Sequence, residues 1–208
     1  MRENDPNLNS SRRDFLRGSS VAAASAVLSQ SAQAGMEEIA AAEALAQQEP
    51  AVAAGTVKVS LQVNGKPMTT EIEPRSTLLD VLRHRLDVTG PKRVCDRASC
   101  GACTVIVDGK SVYSCTTLAI AAQGKEIRTL ESFDTGPNSV PHAFHHNDGL
   151  MCGYCTPGFV TACQALLEKN PNPTLEEVRK GLDGNICRCG TYVGVVKAAL
   201  EAAKAIKV

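Results

Sequence analysis

From Thr56 onward apolar and polar residues alternate. Val57, Val59, Leu61 and Val63 are separated by Lys58, Ser60 and Gln62, the period of a half-buried strand. Asn64-Gly65 is a tight-turn dipeptide, so residues 68–72 are predicted to return antiparallel. Residues 76–86 change to helical spacing: Thr77-x-x-Asp80 forms a capping box, and Leu78, Val81, Leu82 and Arg85 share one side. A second strand pair, 104–107 and 112–114, brackets Asp108-Gly109. A short helix at 118–122 and a strand at 126–129 complete the unit. Gly136-Pro137-Asn138 then breaks the chain, and the spacing becomes helical to the end. Phe159, Cys163 and Leu166 recur at i, i+4 and i+7. Thr174-x-x-Glu177 caps a helix carrying Leu175, Val178 and Leu182. Val195, Ala199, Ala202 and Ile206 line a last helix, and a short one spans Val140–His146.

The fold class is therefore α+β in two parts. Two hairpins around a helix predict a β-grasp, plant-ferredoxin-like domain over 55–134, and four helices predict an all-α bundle over 135–208. Aromatic residues make up only 3% of the chain and tryptophan is absent, so the bundle is underfilled and needs more than apolar packing to hold it.

The first 54 residues read differently. Ser11-Arg12-Arg13-Asp14-Phe15-Leu16-Arg17, a weakly apolar stretch and Ala32-Gln33-Ala34 follow the order of a cleaved leader over 1–34. Its paired arginines resemble a twin-arginine signal, which implies export of the folded chain to the periplasm. Residues 35–54, rich in Ala, Glu and Gln, read as a linker. Lys and Arg together number 22, as do Asp and Glu, a balance that argues against a nucleic-acid binder. No apolar run is long enough for a membrane span.

Nine cysteines, all between positions 95 and 189, carry the chemistry. Cys95-x4-Cys100-x2-Cys103, followed by eleven residues and then Cys115, has the plant-type [2Fe–2S] spacing, in which one loop supplies three thiolates and a later element the fourth. Gly101 and Ala102 keep that backbone close enough for amide N–H groups to point at sulfur. Cys152-x2-Cys155 and Cys187-x-Cys189 form a second set of four; their spacing alone fits either zinc or a second cluster.

Three longer motifs carry a family resemblance: Gly90-x4-Cys95-Asp96-Arg97-Ala98-Ser99-Cys100-Gly101-Ala102-Cys103, Cys152-Gly153-Tyr154-Cys155-Thr156-Pro157-Gly158 and Gly184-Asn185-Ile186-Cys187-Arg188-Cys189-Gly190. In this order they resemble the iron–sulfur subunit of the molybdenum hydroxylases, the xanthine dehydrogenase and aldehyde oxidoreductase family. The resemblance implies that Cys95, Cys100, Cys103 and Cys115 hold one [2Fe–2S] cluster and Cys152, Cys155, Cys187 and Cys189 another. It implies a large partner subunit with a molybdenum-pterin cofactor, single-electron transfer through both clusters, and an external acceptor such as a cytochrome c or a flavin subunit. The expected substrate is an aldehyde or an N-heterocycle, with no catalytic residue in this chain. The alternative from a different class is a zinc-stabilised, exported interaction module.

The motifs also depart from the family. Met151 stands where relatives often carry a glutamine that contacts the pterin, and a methionine cannot make those hydrogen bonds. Ala98 replaces a loop glycine, which strains the loop if that position requires positive φ. Gly190-Thr191 inverts the commoner Thr-Gly order. Cys163, on an apolar stripe, reads as a buried core thiol. His142, His145 and His146 read as solvated or interface residues, Tyr154 and Phe159 as packing, and Arg188 as a charge near the clusters or a partner contact.

Overall fold

The structure, a computed structural model, describes residues 55–205. The leader expected over 1–34, the linker at 35–54 and Ile206 lie outside the described residues. The alternating segment forms β1 (Val57–Val63), and β2 (Lys66–Ile72) pairs antiparallel with it from Val57↔Ile72 to Val63↔Lys66. Asn64 (φ 52°) and Gly65 (φ 76°) are both left-handed, as the mirror-image turn of a two-residue hairpin requires. Asp108 (φ 47°) and Gly109 (φ 75°) repeat the device between β3 (Thr104–Val107) and β4 (Lys110–Tyr113). Because that turn consumes only two residues, β4 starts at Lys110, two residues before the expected 112.

The last strand, β5 (Glu126–Arg128), enters between the hairpins. It runs parallel to β1 and antiparallel to β3, giving the order β2-β1-β5-β3-β4. Helix α1 (Leu78–His84) lays Leu78, Val81 and Leu82 on the sheet residues Val59, Leu61, Val63, Val105 and Ile127, the first hydrophobic core. It is shorter than the predicted 76–86, and Arg85 is exposed past its end. The Ser76 carbonyl accepts from Ala119 N–H and Thr77 bridges to Leu118, which holds Ser76 and Thr77 extended and starts the helix at Leu78. Thr77 caps α1 by accepting from Asp80 N–H, while the Asp80 carboxylate takes the Thr77 hydroxyl instead of closing the box on backbone. The expected helix at 118–122 is one 3-10 turn, Ala119–Ala122.

The helical half comprises α2 (Val140–His146), α3 (Thr156–Lys169), α4 (Leu175–Gly181) and α5 (Tyr192–Ala205). Thr174 and Glu177 complete a reciprocal capping box at α4. Phe144, Phe159, Cys163, Leu167, Val178 and Val195 form the second core, with Ala198, Ala199 and Ala202 letting α2 lie close on α5. Leu167, not Leu166, is the fully buried leucine of α3, and Leu175 is half exposed on the short α4. The two cores belong to one compact unit, in which α3 packs across β3.

Candidate functional site

The first cysteine set sits in the loop between α1 and β3, with Cys115 just past β4. Asp96 (φ 54°), Ala98 (φ 55°) and Gly101 (φ 69°) are left-handed and turn the loop inward. Ala98 N–H consequently donates to Cys115 Sγ and Ser99 N–H to Cys95 Sγ, both at 3.4 Å. Ala98 thus holds the strained conformation, at about 1–2 kcal/mol for a residue with a Cβ, and in return aims a donor at sulfur. Ser114 donates from both Oγ (2.7 Å) and N–H (3.3 Å) to the Cys103 carbonyl, binding the loop to the turn after β4 that carries Cys115. Arg93 pairs with the carboxylates of Asp80 and Asp96 and braces the loop against α1.

Within this set the sulfurs fall into two neighbouring pairs, Cys95 with Cys100 and Cys103 with Cys115. Burial opposes ionisation of Cys95, but the N–H groups of Arg97 and Ser99 outweigh it and bring this thiol down to about 7. Burial dominates at Cys103 and pushes it up to about 12.

The second set occupies the chain just before two helices. Cys152 and Cys155 flank left-handed Gly153 (φ 79°) at the start of α3, and Cys187 and Cys189 precede Gly190 (φ 81°) and α5. Both helices have fourteen residues, so two positive dipole ends meet at these sulfurs, which favours anionic charge there. Again there are two pairs, Cys155 with Cys187 and Cys152 with Cys189. Burial raises Cys155 to about 12. Cys187 is lowered to about 7 because the Thr191 hydroxyl and N–H overcome its own burial. Tyr192 packs edge-on against Phe159, with ring centroids 6.2 Å apart, and its hydroxyl accepts the Cys187 N–H at 2.9 Å.

The two sets are joined by backbone. Ile186 N–H donates to the Cys100 carbonyl (3.0 Å), Asn185 Nδ2–H to the Gly101 carbonyl (2.9 Å) and Tyr113 O–H to the Gly184 carbonyl (3.1 Å). Tyr154 O–H donates to the Arg93 carbonyl at 3.2 Å, tying the second cysteine loop to the first. A Cβ on Gly101 would stand 2.5 Å from Asn185 Nδ2, and one on Gly158 would stand 2.3 Å from the Gly101 carbonyl oxygen. Glycine at both positions permits this closeness.

This donor set suits a two-metal sulfur cluster. All nine cysteines are free; eight lie in the two sets, and Cys163 is fully buried on α3, where burial alone raises it to about 12. Among the described residues no three His, Cys, Asp or Glu side chains converge on a single-ion position. Sulfurs arriving as two dyads match two bridged irons better than one tetrahedral zinc. Backbone N–H groups aimed at sulfur, and the Thr156 hydroxyl, buried beside Cys155 with no partner among the described residues, supply donors for such a cluster.

Sequence reasoning located the eight cysteines but missed Thr191 and Tyr192, both inside the Cys189-Gly190-Thr191-Tyr192 motif. It also credited Tyr154 and Phe159 with packing alone, although Tyr154 links the two loops. It read the histidines as solvated or interface residues, yet α5 brings Glu201 to His146 (3.0 Å), with Asn147 as a further donor to it (2.9 Å). Arg188 and Met151 are both exposed.

Comparison with known proteins agrees with this geometry. Residues 61–129 match the 2Fe-2S iron-sulfur cluster binding domain, and residues 129–200 match the [2Fe-2S] binding domain. The small subunit of nicotine 6-hydroxylase from Paenarthrobacter nicotinovorans is 44% identical over 70% of this chain and 89% of its own. The iron-sulfur-binding subunit of aldehyde oxidoreductase from Escherichia coli K12 is 37% identical over 96% of this chain and 91% of its own. In the crystal structure of quinoline 2-oxidoreductase from Pseudomonas putida 86, a 36% identical chain superposes with a TM-score of 0.69, covering 73% of this chain and 96% of that one.

Proposed function

Because the chain belongs to the family of small iron–sulfur subunits of the molybdenum hydroxylases, we propose that its eight loop cysteines bind two [2Fe–2S] clusters and that it serves as the electron-transfer subunit of a periplasmic oxidoreductase acting on an aldehyde or an N-heterocycle. When bound, the clusters supply one-electron carriers between a molybdopterin centre in a large partner subunit and an external acceptor, a cytochrome c or a flavin subunit. This chain contributes the ligands, the donors to sulfur and a fixed connection between the two sites.

The observation that carries the reading is the Ile186 N–H···O=C Cys100 hydrogen bond at 3.0 Å. Cys100 belongs to the first set and Ile186 is bonded to Cys187 of the second, so a single hydrogen bond joins a ligand of each. A structural module with two independent zinc sites has no need of that link. Cys100, Cys103 and Cys115 of the first set are buried and Cys95 is half-buried, whereas Cys152 and Cys189 of the second are exposed, which gives the chain a direction. We assign the exposed pair, flanked in sequence by exposed Leu150, Met151 and Val193, to the partner side. Export rests on Arg12 and Arg13, and the similarity to the aldehyde oxidoreductase subunit extends into the segment before residue 55.

The test is metal and sulfide analysis with EPR on the anaerobically purified complex. About four iron and four acid-labile sulfide per chain, with two reduced-state signals, are expected. Cys100→Ser removes one signal and blocks reduction of the acceptor, while the partner's molybdenum is still reduced by substrate. Zinc without sulfide overturns the reading. Replacing both Arg12 and Arg13 by lysine retains the chain in the cytoplasm; normal export of that variant refutes the proposed route.

A further inference from the structure

Thr191 is placed where a helix cap is expected. Val195 N–H donates to its carbonyl at 3.0 Å, which makes Thr191 the residue that opens α5. A threonine there ordinarily turns its hydroxyl toward the free N–H groups of the first turn. Here the hydroxyl lies 3.2 Å from Cys187 Sγ and 3.5 Å from the Gly149 carbonyl. The first distance is a full hydrogen bond for an atom as large as sulfur. The second is long for O–H···O, which prefers 2.5–3.0 Å. One hydroxyl proton is available; a Cys187 thiolate has none of its own to give, so with that sulfur as a ligand the hydroxyl donates over the shorter contact.

Cys187 is the buried member of the pair Cys187/Cys189, and its backbone is fixed independently by Tyr192. A hydrogen bond shielded from water at this sulfur is stronger than the same bond at exposed Cys189. Accepting one electron adds a negative charge that the ligand sulfurs share, and a donor to sulfur stabilises that state more than the oxidised one. We propose that Thr191 is a positioning residue whose hydroxyl, hydrogen-bonded to Cys187 Sγ, raises the reduction potential of the second iron–sulfur site. This rests on the electron-transfer reading above. One electron enters from the partner's metal centre, no proton is taken up, and the hydroxyl proton stays on Thr191.

The experiment is a redox titration of the intact complex, followed by EPR, with Thr191→Val, Thr191→Ala and Thr191→Ser. At a fixed solution potential, Thr191→Val and Thr191→Ala lower the reduced-to-oxidised ratio of the second site by about 5- to 10-fold, the size of one ordinary net hydrogen bond gained between the two redox states. Thr191→Ser keeps the ratio within two-fold of the parent, and the first site does not move in any variant. The proposal is overturned by an unchanged ratio in the valine and alanine variants, by an equal shift at both sites, or by a serine variant that behaves like valine. It is also overturned if neither the valine nor the alanine variant retains the parent's iron and sulfide, because the hydroxyl is then structural. Absence of clusters from the parent complex is a different result, and sinks the electron-transfer reading itself.

Discussion

Gly158→Ala isolates the contact that holds the two halves together. Gly158 lies in the first turn of α3 with ordinary helical φ, so no backbone conformation demands glycine there. A methyl group would meet the Gly101 carbonyl oxygen at 2.3 Å, Ala102 Cα at 2.9 Å and the Gly101 carbonyl carbon at 3.1 Å. Ordinary contact requires an opening of about 1 Å. Every one of these atoms is backbone, and the loop is tied to Asn185 and Ile186, so no side chain can swing aside. Two effects compete. Helix propensity favours alanine by up to about 1 kcal/mol, and forced overpacking opposes it by about 1–3 kcal/mol. The clash wins, with a net loss of about 1–2 kcal/mol, or a few degrees in Tm for a chain of this size. Gly181→Ala is the control: its Cβ meets only Leu166 side-chain carbons at 2.9 Å, which can rotate away, so its effect is much smaller. Thermal melts of the anaerobic complex by circular dichroism would read the stability. Pulsed EPR of the reduced protein would read the magnetic coupling between the sites, which weakens as the loops part. A Gly158→Ala protein as stable as the parent, with unchanged coupling, would refute the argument.

Three further outcomes follow from particular contacts. Asn185→Ala removes a buried donor to the Gly101 carbonyl; because Thr104 N–H and Oγ–H also serve that oxygen, the loss in stability, measured by urea denaturation, is about 1 kcal/mol. Ala98→Gly relieves left-handed strain of about 1–2 kcal/mol against a glycine entropy cost of about 0.5–1 kcal/mol; a small gain in Tm with both EPR signals intact is expected, and a loss would contradict the strain. Glu201 is held below its ordinary value of 4.5 by Asn147 and then by His146. A depressed carboxylate stabilises the fold above its unfolded value, and this stabilisation is lost as pH falls through the folded one. Glu201→Gln should therefore flatten the acid limb of the urea-midpoint profile, and an unchanged limb would show that the pair does not couple α2 to α5.

How far the amino-acid order reaches is visible residue by residue. Asn64-Gly65 and Asp108-Gly109 announced their turns because a mirror-image turn needs positive φ at both positions, a demand written into two adjacent residues. Thr174 and Glu177 announced a helix start for the same local reason. The cysteine spacings identified both sets, since loop length limits which thiolates can surround one small cluster. The start of α1 was misjudged because Ser76 and Thr77 pair with residues some forty positions away, which no local window contains.

Secondary-structure type, turn type, the eight cysteines and the family were thus present in the linear order, through periods of two and 3.6 residues and fixed ligand spacings. Other features had to await the folded chain. These are β5 entering between the hairpins, the division of each cysteine set into dyads, Glu201 meeting His146, and the seam from Cys100 and Gly101 to residues 184–186. That seam includes hydrogen bonds spanning 71 and 84 residues. Which of many possible long-range partners a carbonyl finds depends on how two hydrophobic cores settle against each other, and on two glycines small enough to let the backbones touch.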